Sequence, residues 1–298
     1  NSLFTANIIA NASLSVNGET VDASAITPDL LSTTLHEAGG IEANVASGYH
    51  AIEFLLWGQD LNVNGAGAGE RPFTDFSLDN CSNDNCDRRR EYLSAATDLM
   101  IADLEEMAAN WQAGGAARAE LAAKGVEGGL ATILTGMGSL SYGELAGERM
   151  KLGLLLGDPE EEHDCFADNT HNSHFYDAVG IRNVYQGTYT RVDGTELSGP
   201  SLADLVKVKD DALAGELQSK LDATIVAMQA MVDRAESGEA YDQMIGVGND
   251  EGNAIVQAAI DGLVDQTLSI ERAIAALELG TIELEGSDSL DNPNAVFQ

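Results

Sequence analysis

Apolar residues recur at spacings of three and four along much of the chain, which is the period of an α-helix. The clearest stripe follows Asp87, a residue suited to cap the start of a helix, and Gly114-Gly115 ends it. Two more stripes predict long helices near residues 201–236 and 251–278. The first stripe consists of Leu93, Ala96, Met100, Leu104, Met107 and Trp111.

The first ninety residues predict shorter elements joined by loops. Residues 1–28 have no clear period and are expected to be irregular, with a turn at Asn17-Gly18. A helix is predicted over about 41–56, followed by a long loop over 61–86 that is rich in Gly, Asn and Asp.

The middle of the chain combines a helical pattern with many glycines. Residues 116–156 predict helix, but each interior glycine costs roughly 1 kcal/mol relative to alanine. We therefore expect helix breaks or close backbone approach to a neighbour. The glycines are Gly125, Gly128, Gly129, Gly136, Gly138 and Gly143. Residues 157–200 are polar with scattered aromatics and predict a long loop, of a length that is usually functional.

Composition and length define the fold class. The chain has 298 residues, which is more than one hydrophobic core usually serves. Apolar residues make up 44% and aromatics only 5%, so Ala, Leu and Met dominate and favour packed helices. We predict an all-α protein built as one large or two medium domains, with a candidate boundary at Gly114-Gly115. A weak similarity between the segments that follow Asn7 and Asn183 suggests a duplication.

The charge excludes several classes of partner. Fifteen basic residues face 49 acidic ones, for a net charge of −34, whereas nucleic-acid binding needs clustered Lys and Arg. An anionic membrane surface is disfavoured for the same reason. No apolar run approaches the roughly 20 residues of a membrane span. The acidic surface is read as a solubilising coat, and it also suits attraction of cations.

His50 and Glu53 stand one turn apart on the predicted 41–56 helix, so they share a face. Their neighbours are apolar, and a buried Glu needs a cation, a hydrogen-bond donor or a proton. In di-iron bundles a Glu and a His at this spacing, in reverse order, bind metal. Two interpretations remain open at this point: a metal site, or a Glu–His hydrogen bond inside the core.

Further candidate residues are histidines, carboxylates and cysteines. His163, His171 and His174 lie in the polar 157–200 stretch beside several acidic residues, a mixture that suits iron, zinc or manganese. Glu144 and Glu148 form an i,i+4 pair that either completes a carboxylate-rich site or is neutralised by Arg149 or another cation. Cys81 and Cys86 favour a small disulfide over a metal site, because no second Cys or His pair is near. Cys165 is expected to be a buried thiol.

Residues 48–58 read Gly-Tyr-His-Ala-Ile-Glu-Phe-Leu-Leu-Trp-Gly and resemble the Gly-x-His-x-x-Glu signature of the imelysin family, including its iron-regulated members. The resemblance continues through residues 86–93, 143–150, 162–171 and 285–293, so it spans most of the chain.

The resemblance implies two helical bundles related by duplication, residues 1–113 and 114–298, with a site between them that contains His50 and Glu53. It implies export to the periplasm or attachment to the bacterial envelope, in agreement with a Cys81–Cys86 disulfide. The family has further helices before the segment that matches Asn1, so part of the first bundle is expected outside this chain.

Three functional hypotheses follow. The first is an envelope protein that binds iron, or another divalent metal such as zinc, in uptake or sensing together with envelope iron-uptake proteins. The second is a metallopeptidase with Glu53 as general base, and the third is a metal-free module for a small ligand or partner. The expected metal ligands are His50, Glu53, Glu144 and Glu148, with Arg149, Asp168 and His171 as further site candidates.

Overall fold

The computed structural model describes residues 2–62 and 65–297, without the side chains of residues 2 and 3. About 65% of the chain is helix and 5% strand, which confirms the all-α prediction. The described residues form two compact units. The first draws on Asn1–Asn62 and Gly67–Arg118, and the second on Val63–Ala66 and Ala119–Gln298. The division falls within one helix, Ala116–Ala123.

The first unit contains four helices and one hairpin among its described residues. These are α1 (Ser2–Ala10), β1 (Ser13–Val16), β2 (Glu19–Asp22), α2 (Pro28–Leu30), α3 (Tyr49–Trp57) and α4 (Cys86–Trp111). A π-helical turn at Leu31–Leu35 and 3-10 turns at Ala38–Gly40 and Phe73–Phe76 join them.

The prediction that residues 1–28 are irregular is wrong. The predicted turn is there: Asn17 (φ 53°) and Gly18 (φ 81°) form a tight turn that joins β1 to β2. Positive φ at both central residues is typical of a two-residue hairpin turn. The strands are four residues each, so they are too short to give a readable alternation. The α1 helix has apolar residues all round, which hides its period.

The helix predicted over 41–56 begins eight residues late. Gly48 has a φ of 86°, which interrupts helical backbone, and α3 starts at Tyr49. Glycine adopts this conformation without a steric penalty. The segment before it is held by side chains instead: Thr5 Oγ1 donates to the Val45 carbonyl at 3.0 Å, and Tyr92 Oη donates to the Ala46 carbonyl at 2.8 Å.

The long α4 helix has the predicted period but starts one residue before Asp87, with Asn85 as its N-cap residue in a left-handed conformation. Its stripe is buried only in the first half. Ala96 is buried, whereas Leu104, Met107 and Trp111 are exposed within the described part of the chain.

The second unit is built on long helices that pack side by side. Its elements are α5 (Ala116–Ala123, at the division), α6 (Gly125–Ser139), α7 (Leu152–Leu156), α8 (Thr170–Gln186), β3 (Thr188–Thr190), β4 (Glu196–Ser198), α9 (Leu202–Lys209), α10 (Asp211–Glu236), α11 (Tyr241–Ile245), α12 (Asp250–Ala276) and α13 (Asp288–Asp291). A π-helix over Leu140–Lys151 links α6 to α7, and a 3-10 turn covers Pro293–Phe297. Helix α10 packs against α12 and α8 around a buried apolar core.

The prediction of a loop over 157–200 is wrong. Residues 170–186 form α8, and residues 188–198 form the β3–β4 hairpin. The buried positions of α8 do follow a helical period, but two of the first are histidines, so an apolar stripe is not visible. They are Thr170, His171, His174, Ala178, Ile181 and Tyr185.

Glycines in the 116–156 region act as predicted, some as breaks and some as points of close approach. Gly125 has a φ of 69° and separates α5 from α6. A Cβ on Gly143 would lie 2.5 Å from the Glu285 carbonyl oxygen, and one on Gly147 would lie inside the Ser287 side chain. The tail segment 282–291 therefore lies directly against the backbone of the π-helix.

Candidate functional site

His50 and Glu53 form a hydrogen-bonded pair on α3. His50 Nδ1 lies 3.0 Å from Glu53 Oε2, and the side chains are 49% and 9% exposed, respectively. One partner is therefore accessible from solvent and the other is buried. When the neutral imidazole donates its Nδ1 proton to Glu53, its lone pair lies on Nε2.

A network of buried charges holds the C-terminal end of α3. Arg71 Nη2 donates to the Phe54 carbonyl at 3.1 Å, and the guanidinium lies 5.3 Å from the centre of the Phe54 ring. Arg71 also pairs with Asp75 at 3.2 Å. Burial and the neighbouring Arg89 lower the pKa of Arg71, and Asp75 opposes this effect. The position of α3 therefore depends on Asp75.

Asp75 is itself tied to the loop that precedes α4. It is 1% exposed, accepts from Asn83 Nδ2 at 2.7 Å, and its carbonyl accepts from Arg89 Nη1 at 2.8 Å. Cys81 and Cys86 form a disulfide that closes this loop, as predicted. Cys165 is half-buried and outside that bond.

The second unit brings three carboxylates together. Glu162, Asp168 and Asp242 each offer an oxygen, and these oxygens lie within 4.8 Å of one another. The three residues are 9%, 8% and 0% exposed. Like charges this close repel one another unless a cation or protons compensate them. We refer to these three residues as the carboxylate cluster.

A sharp turn before α8 places two members of the carboxylate cluster. Asp168 has a φ of 50°, which is a left-handed conformation. Asp tolerates that conformation better than most residues. Buried Thr170 donates to Glu162 Oε2 at 2.8 Å and accepts from the Asp164 amide at 3.0 Å. The Asp164 carboxylate accepts a hydrogen bond from Ser173.

His174 lies between the two chain segments that carry Glu162 and Asp242. Its fully buried ring packs edge-on against His163 at 5.7 Å and against Tyr241 at 5.0 Å. Among the described residues, neither ring nitrogen of His174 nor the Tyr241 hydroxyl has a hydrogen-bond partner.

Burial and neighbouring charges keep His174 and Tyr241 uncharged. Burial, and then the positive charges of His163, Arg149 and His171, hold the pKa of His174 well below its ordinary value. Burial, with a smaller contribution from Glu162, raises the pKa of the Tyr241 phenol. Glu162 is therefore within electrostatic reach of that hydroxyl.

The remaining predicted residues have other surroundings. Glu144 pairs with Arg149 at 2.8 Å, and Arg149 lies 3.7 Å from Asp177. Glu148 is exposed and accepts from Ser287 Oγ at 2.6 Å. Within this π-helix the two glutamates thus turn to different partners, so their i,i+4 spacing does not make them a pair.

His171 lies at the start of α8 and is largely buried. Its Nε2 accepts from the Asn172 side chain at 3.2 Å, and its Nδ1 has no hydrogen-bond partner in the described part of the chain. Burial lowers the pKa of His171, while Glu236 and Asp164 oppose the effect.

Asp242 was not predicted. It follows the carboxylate-rich stretch by more than seventy residues and lies on α11, a helix of only five residues between loops. No periodicity marks such a short element, and nothing in the sequence links it to Glu162 or Asp168.

A family model described as imelysin, of the peptidase M75 group, matches residues 6–270. The chain belongs to the imelysin family. The match includes α3 with its His50–Glu53 pair and all three members of the carboxylate cluster. Among curated proteins, none matches this imelysin-family sequence significantly. Across residues 2–62 and 65–297, no helix is both long and apolar enough to cross a membrane.

Proposed function

We propose that this imelysin-family protein binds a metal ion, with iron as the favoured metal and another divalent ion such as zinc as the alternative. The observation that carries the proposal is the His50–Glu53 pair on the helix that bears the family signature. Nitrogen and carboxylate oxygen donors of this kind suit iron, zinc and manganese. A bound ion would supply a Lewis-acid or redox centre.

The geometry of the pair supports two distinct tasks for its members. A metal-binding histidine usually donates its second ring proton to a carboxylate, which fixes its tautomer and orientation. At 3.0 Å, Glu53 performs that task for His50, whose Nε2 then carries the lone pair for a metal. Because Glu53 is buried and α3 is held by Arg71 and Asp75, the imidazole keeps its orientation without metal.

The carboxylate cluster is the second part of the proposal. Its three oxygens satisfy the preference of hard cations and iron for carboxylate ligands. In the second unit we assign metal binding to Glu162, Asp168 and Asp242 rather than to Glu144 and Glu148. The reason is that Glu144 already pairs with Arg149, and Glu148 already binds Ser287.

The cellular setting is also a proposal. The Cys81–Cys86 disulfide supports an oxidising compartment, and we place the protein in the periplasm or at the bacterial envelope, in iron uptake or sensing. The acidic surface, with a net charge of −34, favours the approach of cations over that of anions.

Calorimetric titration tests the His50–Glu53 site. Ferrous iron under anaerobic conditions, and zinc and manganese in parallel, are titrated into the metal-free protein. The test variant carries both His50→Gln and Glu53→Gln. The matched control is His36→Gln with Glu37→Gln, because in this His–Glu pair of the same unit the carboxylate is exposed and the two side chains are 3.8 Å apart.

The expected result is binding by the wild type and the control, and at least tenfold weaker binding by the His50–Glu53 variant. Equal affinities in all three proteins would contradict the assignment of this site. Cleavage of a peptide library that depends on zinc and on Glu53 would instead favour the metallopeptidase, in which the metal activates water.

A further inference from the structure

A groove in the second unit lies between α12 and the tail segment 282–291. Its volume is 510 Å³. That size is within the usual range for sites that bind small molecules. Aliphatic side chains from both sides form its walls. They are Val264 and Leu268 on α12, and Ile282 and Leu284 on the tail segment.

Specific contacts hold the tail segment in place, so the groove is a built feature. The Glu285 amide donates to Ser139 Oγ at 3.0 Å, and Ser289 Oγ donates to the Gly147 carbonyl at 2.9 Å. The absence of side chains at Gly143 and Gly147 permits this close approach. The far wall of the groove therefore depends on glycines of the π-helix.

The rim of the groove carries three carboxylates, Glu271, Glu283 and Asp291. Among the described residues, no Lys, Arg or His forms an ion pair with any of them. Asp291 Oδ1 accepts from Tyr142 Oη at 2.7 Å. That bond and burial, with smaller contributions from the charges of Asp291 and Glu271, raise the pKa of Tyr142 to about 12.

An acidic rim alone would mean little on a protein with this charge. The difference here is that the three carboxylates stand at the rim of a groove with aliphatic walls, so that one small ligand can contact both. An ion without an apolar body leaves that wall in water, and an uncharged apolar molecule leaves the carboxylates without a counter-charge.

We propose that this groove binds a small protonated alkylamine, with the ammonium group at Glu271 and Glu283 and the aliphatic chain against Leu268 and Leu284. The site goes beyond the proposed metal-binding function and does not depend on it. Burial of each methylene contributes to binding in addition to the charge attraction.

Calorimetry on the full chain, with metal removed and ionic strength held constant, tests the proposal. The probe is hexylamine. Methylamine has the charge without the aliphatic chain, and 1-hexanol has the chain without the charge. The test variant carries both Glu271→Gln and Glu283→Gln. Both side chains are exposed, so the fold is expected to persist. The control is Glu251→Gln. Glu251 is 84% exposed, and the change removes a charge near the other end of α12.

We expect hexylamine to bind at least about tenfold more tightly than either reference compound, a difference of about 1.4 kcal/mol. The Glu271–Glu283 variant should lose about tenfold in hexylamine affinity, and Glu251→Gln should match the wild type. Two results would overturn the proposal: hexylamine binding no tighter than methylamine or 1-hexanol, or an equal loss of hexylamine affinity in Glu251→Gln.

Discussion

The two regions with candidate metal ligands are built in opposite ways. The His50–Glu53 pair comes from a single helix, contains a 3.0 Å hydrogen bond, and keeps half of its imidazole in solvent. The carboxylate cluster combines two distant stretches of chain, one with Glu162 and Asp168 and the other with Asp242, and is almost wholly buried.

The difference lies in what supports each region. Around the His50–Glu53 pair, the orientation of α3 depends on buried ion pairs and a disulfide-closed loop, with Asp75 at the centre. Around the carboxylate cluster, the fully buried ring of His174 separates the segments and lies between His163 and Tyr241. We therefore expect the stability of the first region to fall when a buried charge is removed. The stability of the second region should rise with bound metal and fall in acid.

The largest expected effect is that of Asp75→Ala. The change leaves Arg71 and Arg89 buried without their carboxylate. Loss of one partner from a buried ion pair typically destabilises by about 3–5 kcal/mol. Denaturant unfolding followed by tryptophan fluorescence measures it, because the two tryptophans, Trp57 and Trp111, are both in the first unit. A loss below about 1 kcal/mol would mean that α3 does not depend on Asp75.

The next effect is metal-dependent stabilisation. At a hundredfold excess over the dissociation constant, a ligand stabilises the folded state by about 2.7 kcal/mol. We expect ferrous iron to raise the melting temperature of the wild type and of the exposed control Glu160→Gln by the same amount. The rise should be smaller in Asp242→Asn, in which only the His50–Glu53 site is intact. Circular dichroism confirms that each variant is folded, and an unaltered rise in Asp242→Asn would exclude Asp242 as a ligand.

Removal of the disulfide should affect the first unit alone. Cys81 and Cys86 close a very short loop. For a loop of this length, chain entropy contributes roughly 2 kcal/mol to the free energy of unfolding. The Cys81→Ser, Cys86→Ser variant should lose that amount in the tryptophan-detected transition. Hydrogen exchange in α10 and α12 should stay as in the wild type, and faster exchange there would show that the two units unfold together.

The smallest expected effect is a pH dependence in the second unit. His174 has a lowered pKa in the folded state, so the folded protein disfavours its protonation relative to the unfolded chain. Stability is then fully present above the unfolded pKa of about 6.5 and is lost as the pH falls below it. His163, His171 and Arg149 face His174 and act in the same direction.

His174→Phe, measured without metal, should reduce this slope, because the ring contacts are kept and the titrating group is removed. His36→Gln, at an exposed histidine, is the control and should leave the slope as in the wild type. An undiminished slope in His174→Phe would assign the acid sensitivity to other groups.

Local patterns were sufficient to predict much of the fold. The all-α class, the long helices α10 and α12 and the turn at Asn17-Gly18 each depend on short-range spacing that the sequence displays. The similarity near Asn7 and Asn183 corresponds to two like segments, since α1 with β1–β2 and α8 with β3–β4 are each a helix followed by a hairpin. A duplication, and a site shared between the two bundles, stay predictions.

Errors arose where tertiary contacts override local preference. The α8 helix was predicted as loop because buried histidines stand where apolar residues are expected. Glu144 and Glu148 were paired by α-helical spacing, which a π-helix does not keep. His50 with Glu53 was readable because both lie on one turn, whereas Asp242 joins Glu162 and Asp168 only through the packing of α11.

Elemental analysis of the purified protein, loaded with ferrous iron under anaerobic conditions and then freed of unbound ions, tests the central claim most directly. The account predicts iron in a stoichiometric ratio to the wild type and to the His36→Gln, Glu37→Gln control. In the His50→Gln, Glu53→Gln variant the ratio should fall to the share that the carboxylate cluster binds. The account would be contradicted if the wild type retained no iron, zinc or manganese after loading with each metal. It would also be contradicted if the His50→Gln, Glu53→Gln variant kept the full metal content.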